Sequence, residues 1–241
     1  MLECSARKVV IIVGGMVGAG KSTLVNKLRD VFLNERVCTL NMTAYPNVSY
    51  FFFTLLAAFF YGRKTVKFYE ERGVHPSTLV IKRLQRTGLL FSLITTLIEI
   101  VSVHLWIIYM HIRCWRMRVV IVDEGFINAV ANYVEVLGKE SNILIHYILS
   151  MLNSWRRKHK LVLVFLSANL NALRERWFKR ERPVLTRFIG LDHHFRYLGL
   201  MKFSVRLFIR SGFNVLVVDT SYKRPDEVAE EVIKTLYTNL Y

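Results

Sequence analysis

The stretch Val9-Val-Ile-Ile-Val-Gly-Gly-Met-Val-Gly-Ala-Gly-Lys-Ser-Thr23 narrows what this chain can become more than any other. An unbroken β-branched run such as Val9 to Val13 suits a strand buried on both faces, the kind found inside a parallel sheet. The glycines that follow match G-x-x-x-x-G-K-[ST], with Gly15, Gly20, Lys21 and Ser22 at the fixed positions and Gly18 inside the loop. Beyond them Leu24, Val25, Leu28, Val31 and Phe32 recur at helical spacing.

This strand, loop and helix form an anion cradle. Without a Cβ the glycines let the backbone curl, so that successive N–H groups from Gly15, Met16, Val17, Gly18, Ala19 and Gly20 turn inward. The helix that begins near Lys21 adds unpaired N–H groups and the positive end of its dipole. Lys21 can reach the β- and γ-phosphates of a nucleotide, Ser22 is placed to ligate Mg²⁺, and Thr23 brings a second hydroxyl near the α-phosphate. The cofactors this pattern predicts are ATP and Mg²⁺.

A second fixed point is Arg118-Val-Val-Ile-Val-Asp-Glu124. Its aliphatic residues bring Asp123 to the C-terminal end of a strand, where open parallel sheets bind ligands. Asp123 and Ser22 are therefore the expected metal pair. Glu124 beside them suggests a different chemistry, because a carboxylate next to the Mg²⁺ ligand can orient an attacking water.

Further strands are expected at Arg36 to Leu40, Leu161 to Leu166 and Asn214 to Val218, with an amphipathic helix from Ile143 to Trp155 and a last helix starting at Pro225. Five strands separated by helices give an α/β fold, a five-stranded parallel sheet flanked by helices with right-handed crossovers. At 241 residues the chain is long enough for one such domain, 1–241.

The segment from Leu173 to Pro183 carries Arg174, Arg176, Arg180 and Arg182, followed by Arg187. Guanidinium forks can clamp the charge that develops on a phosphoryl group in transfer, so 173–187 reads as an arginine-rich lid. Glu175 and Glu181 interrupt the run, and they equally suit an ordinary solvated helix.

Hydrophobic residues make up 53% of the chain, and 42–117 holds much of the excess. Val48 to Tyr61 is almost wholly apolar and aromatic, and Leu89 to Met110 contains only Glu99 and His104 as ionisable groups. A helix over the latter would run about 33 Å, enough to cross a bilayer. A single crossing would put Ser22 and Asp123 on opposite sides of it. The stretch is therefore either a core helix lining an acceptor site or part of a membrane hairpin or interfacial patch paired with Val48 to Tyr61. The region from Gly62 to Gly88 between them is basic and polar, with a turn or helix start at His75-Pro76-Ser77.

The net charge of +16, from 34 Lys+Arg against 18 Asp+Glu, favours anionic partners: nucleotides, an anionic membrane face, or nucleic acid. Nucleic acid is the least favoured, because no recognition module accompanies the charge. Cys4, Cys38 and Cys114 are far apart and form no C-x-x-C or metal pattern, which reads as an intracellular chain with Cys38 in a strand. With the first strand expected by Val9, no signal peptide is expected. The expected location is cytoplasmic with the option of membrane association, and a homodimer is admitted.

Gly15 to Thr23, the strand ending at Asp123, the run from Phe165-Leu166 through Leu173-Arg174 to Arg180-Glu-Arg182, and Val217-Val-Asp-Thr-Ser with Arg224-Pro225 together resemble the thymidylate kinase branch of the P-loop nucleoside monophosphate kinases. The resemblance implies a P-loop NTPase fold and transfer of the γ-phosphoryl group of ATP to a nucleoside monophosphate or a related small phosphorylated acceptor. It also implies a lid from Arg174 to Arg182, and a loop from Asp219 to Lys223 near adenine. Leu89 to Met110 would take the place of the helix that lines the acceptor, in the hydrophobic form seen in thymidylate-kinase-like proteins linked to surface polysaccharide genes. Two departures fall on the acceptor side. Asp123-Glu124 stands where the family has Asp-Arg, and Asn41-Met-Thr-Ala stands where it has an acid before Pro-Gly. Besides the kinase, a P-loop NTPase working on nucleic acid or at a membrane, and an inactive nucleotide-binding scaffold, remain as alternatives.

Overall fold

A computed structural model describes residues 7–16, 18–42, 47–70, 80, 89–179 and 191–240. In chain order the elements are β1 (Val9–Gly15), α1 (Lys21–Val31), β2 (Val37–Asn41), α2 (Asn47–Tyr61), α3 (Arg63–Glu70), α4 (Leu89–Arg113), β3 (Val119–Asp123), α5 (Phe126–Leu137), α6 (Ser141–Lys158), β4 (Lys160–Ser167), α7 (Leu170–Lys179), α8 (Leu191–Arg210), β5 (Val215–Asp219) and α9 (Pro225–Leu240). Arg180, Arg182 and Arg187 of the expected lid, Val17 of the loop, and the expected turn at His75 lie outside the described residues.

The five strands form one sheet in the order β2-β3-β1-β4-β5, and every pairing is parallel. β1 is buried almost throughout, as its aliphatic run requires. It lies between β3 and β4, so the chain leaves the central strand toward opposite sides of the sheet. At such a switch point the loops beyond the strand ends diverge and leave a crevice. The register brings Val13 beside Asp123, Asn41 beside Asp123, Gly15 beside Leu166 and Ser167 beside Asp219, which lines up the strand ends on that crevice.

Two glycines mark how tightly this edge is packed. A Cβ on Gly15, whose φ is +148°, would lie 2.6 Å from the Leu166 carbonyl oxygen, and one on Gly125 would lie 1.9 Å from Ile12 Cγ2. Gly125 lets α5 start directly beneath the sheet, its N–H donating to Val13 O at 3.2 Å.

Element edges differ from the sequence expectation by small amounts with local causes. Arg36 has φ +56° at the end of a short 3₁₀ turn, Leu33–Glu35, so β2 starts at Val37. α6 extends to Lys158 because Arg156, Arg157 and Lys158 favour the negative end of its dipole.

α4 has two characters. Val103, Trp106 and Met110 are buried, and Trp106 meets Phe126 of α5 and Trp155 of α6 at centroid distances of 5.9 and 6.5 Å. Glu99 is fully buried and accepts a hydrogen bond from Tyr133 of α5 at 2.8 Å. The opposite side of the helix is exposed: Leu97, Val101, Leu105, Ile108 and Ile112 face outward. The stretch Leu93–Arg113 is long and apolar enough to cross a bilayer, yet 39% of its most apolar part is buried against the domain.

Cys38 of β2 and Cys114, just after α4, form a disulfide with a Cα–Cα distance of 5.8 Å. This pairing was not among the expectations drawn from the cysteine spacing. They are 76 residues apart in the chain, and the pairing of β3 with β2 brings the approach to β3, where Cys114 lies, beside the edge strand. Cys38 does lie in a strand, as expected.

Candidate functional site

The loop from Gly15 to Gly20 wraps the C-terminal end of β1. Gly18 and Gly20 have φ of +87° and +94°, a region that L side chains rarely adopt, so this curl needs glycine. Ala19 N–H closes a turn onto Met16 O at 3.0 Å. Lys21, 7% exposed, donates to Gly15 O at 3.0 Å and to Met16 O at 3.1 Å, and its ammonium lies 3.3 Å from Glu124 Oε1. Three donors thus meet three oxygens, all at the mouth of the loop.

Ser22 Oγ donates to Asp123 Oδ2 at 3.4 Å, bringing together residues from α1 and β3 that are 101 positions apart. Asp123 is fixed from behind by Met42 N–H, which donates to its carbonyl at 2.8 Å. Its other carboxylate oxygen, Oδ1, is buried and has no hydrogen-bond partner among the described residues. Burial raises the Asp123 pKa; Lys21 opposes this and Glu124 adds to it.

A buried carboxylate oxygen lacking a donor, beside a serine hydroxyl, suits a hard cation. Among the described residues no group of three or more His, Cys, Asp and Glu side chains could hold a metal. That donor set fits Mg²⁺, which commonly takes one or two protein oxygens and completes its shell with phosphates and water.

Glu124 has φ +57°, a left-handed conformation that is unusual for a residue with a long side chain. The turn aims its carboxylate back at Lys21. Strained backbone held by close packing is common at functional sites, and here the packing is that of Gly125 against Ile12.

Asn128 escaped the sequence reading. Its Oδ1 accepts from Gly15 N–H at 3.0 Å and its Nδ2 donates to Gly15 O at 2.9 Å, so one buried amide satisfies both backbone groups where the loop begins. Its signal is slight, a lone amide on the first turn of the apolar helix Phe126–Leu137. A second amide, Asn132, accepts from Tyr197 OH of α8 at 2.7 Å, and burial holds that phenol far above its usual pKa.

On the other side of the loop lies a cleft of about 390 Å³, lined by Gly18, Gly20, Thr23, Arg176, Thr220 and Lys223, among others. Arg176 of α7 spans it, donating to Gly18 O at 3.3 Å, to Thr220 Oγ1 at 3.1 Å and to Thr220 O. Asn169 caps α7 by accepting from Ala172 N–H at 2.8 Å, and its own N–H donates to Ser221 Oγ at 2.8 Å. Ser221 also donates twice to Asp219 Oδ1, which lowers the pKa of that carboxyl. The arginine helix and the loop after β5 are thereby braced as one wall. Arg174, two positions from Arg176, is exposed on the same helix. Thr220 and Ser221 lie in the segment from Asp219 to Lys223 that the resemblance named, and Asn169 joins this wall from outside it.

Among the described side chains of α4, Thr95, Thr96, Glu99 and Ser102 are polar and buried.

The sheet order, the loop after β1 and the acid ending β3 make an α/β arrangement consistent with a P-loop NTPase-like fold. Among solved structures the chain is similar to thymidylate kinase from Candida albicans, with 15% identity, a TM-score of 0.53, and coverage of 98% of this chain and 95% of that one. No protein-family model and no curated protein sequence matches the chain. At this identity the likeness concerns the fold.

Proposed function

We propose that the chain binds ATP with Mg²⁺ and transfers the γ-phosphoryl group to a nucleoside monophosphate or a related small phosphorylated acceptor. The observation that carries this reading is the approach of Ser22 Oγ to Asp123 Oδ2 at 3.4 Å, beside a buried carboxylate oxygen that has no donor among the described residues. Ser22 and Asp123 would hold the cation, which supplies neutralisation of charge on the phosphates. Backbone N–H groups of the loop and Lys21 bind the polyphosphate, and Lys21 exchanges its carbonyl partners for phosphate oxygens. The cleft between Thr23, Thr220 and Lys223 receives the base. Arg174 and Arg176 begin a lid that Arg180 and Arg182 continue in the sequence. An acceptor oxygen attacks phosphorus and ADP leaves, with positioning and charge neutralisation as the protein's contribution and no covalent intermediate.

ADP formation measured against a panel of nucleoside monophosphates tests this reading. Turnover with one or more acceptors, lost in Lys21→Ala and Asp123→Ala, is expected; ATP binding without acceptor-dependent turnover on any of them refutes it.

Glu124 supports a second reading, a P-loop NTPase in which it orients water. Its carboxylate stands beside Lys21, where the resembled family carries an arginine suited to an acceptor phosphate. Acceptor-independent hydrolysis that disappears in Glu124→Gln favours this reading, and hydrolysis that persists in the variant removes it.

A further inference from the structure

We infer that the outer face of α2 and α4 docks on an anionic phospholipid bilayer, with α4 lying in the plane of the interface. This inference is independent of the proposed function. Leu55 and Phe59 of α2 and Leu97, Val101, Leu105, Ile108 and Ile112 of α4 recur every three or four residues and point outward. Phe59, Ile112 and Leu97 are 84%, 72% and 64% exposed, values out of keeping with a core face. The two helices pack side by side, and an apolar groove of about 250 Å³ lies between Phe52 and the Leu97–Val101 turn. A contiguous apolar face of this extent marks an interaction surface.

Charge identifies the occupant. Arg63, Lys64 and Lys67 are exposed on α3, immediately after α2, and Arg113, Arg116 and Arg118 are exposed at the end of α4 and just beyond it. Among the described side chains of α2, α3, α4 and the turn to β3, the sole acid is Glu99, which is buried. Trp115, 77% exposed, sits among the second group of cations, as aromatic residues do at a lipid headgroup level. An apolar face bordered by cations and tryptophan complements acyl chains below a layer of phosphates. A second copy meets this face less well, because a two-fold contact sets the same cationic border against itself.

The inner face of α4 decides the depth. Trp106 packed on Trp155 and Phe126, and Glu99 bonded to Tyr133, would both have to be torn from the domain for α4 to span. An in-plane helix keeps both contacts and still buries its outer stripe.

The test is flotation of the full-length protein with vesicles of phosphatidylglycerol and phosphatidylcholine, against vesicles of phosphatidylcholine alone. Binding to the anionic vesicles is expected, at least about tenfold weaker on neutral ones or at high salt. Leu97→Asp with Ile108→Asp should lower partition roughly a hundredfold, since each change removes an apolar contact and adds a charge. That variant should keep its circular dichroism and its affinity for a fluorescent ATP analogue. If it does not fold, Arg113→Gln with Arg116→Gln carries the test through loss of the preference for anionic lipid. The inference is overturned by no flotation, by equal flotation on neutral lipid, or by a detergent-free dimer that does not float and that the Leu97/Ile108 variant splits.

Discussion

Replacing Asn128 by alanine should damage the nucleotide loop without touching a phosphate. The side chain is 7% exposed and makes two bonds to Gly15, at 3.0 and 2.9 Å. Removing it has unequal effects on the two backbone groups. Gly15 O keeps its bond from Lys21 Nζ at 3.0 Å, whereas Gly15 N–H loses the partner the side chain gave it. A buried donor left alone costs about 1–3 kcal/mol, and the small void adds to it, so a total of about 2–3 kcal/mol is expected. For a domain of this size that lowers the melting temperature by about 5–10 °C. Because the affected group lies at the start of the loop, affinity for a fluorescent ATP analogue should fall roughly tenfold, equivalent to about 1.4 kcal/mol. Asn132→Ala is the contrast: its partner is Tyr197, so it should cost stability and spare the affinity. The reasoning is refuted if Asn128→Ala melts within about a degree of the parent, or if both variants weaken ATP equally.

Three other outcomes are expected. Asp123→Asn should raise stability at neutral pH in metal-free buffer, because burial holds this carboxyl above its usual pKa; the ionised form penalises the fold as pH rises from 3.8 through the raised value, and chelator-treated melts compare the two chains. The same substitution should abolish Mg²⁺-dependent ATP binding, read by titration calorimetry. His159 has its pKa lowered from 6.5, first by desolvation and then by Lys8, His111 and Lys158, so the unfolded chain takes up its proton first as pH falls below 6.5; denaturant titrations should show stability dropping there, and dropping less in His159→Gln. Reducing the Cys38–Cys114 bond, or Cys38→Ser, should cost about 4 kcal/mol from restored freedom of the open chain; equal melts with and without reductant would contradict the pairing.

The strands were legible because buried parallel strands are written as continuous aliphatic runs, and Val9 to Val13 and Leu161 to Leu166 have no other plausible place in a chain of this kind. The approach of Ser22 to Asp123 followed from two local signals, a loop and a strand end, each readable alone. Asn128 did not follow. Its role lies in a contact across 113 residues that no spacing encodes. The cysteines were hidden by the same distance effect. Leu89 to Met110 was legible as apolar but not as two-faced, because nearly every position is apolar and the periodicity that would separate inside from outside is faint; the buried Glu99 is its clearest mark. Of the expected lid arginines, Arg176 lies on the cleft wall and Arg174 is exposed on the same helix, and neither position could be told from the other in the sequence.

The bond between Cys38 and Cys114 makes a covalent ring that contains α2, α3 and α4. A protease that cuts the backbone once anywhere inside that ring releases nothing: both pieces stay joined, and the nick shows on a gel only after a thiol is added. Fraying of the apolar helices is likewise confined, since each end of the ring is anchored beside the sheet, one in an edge strand and the other a few residues before β3.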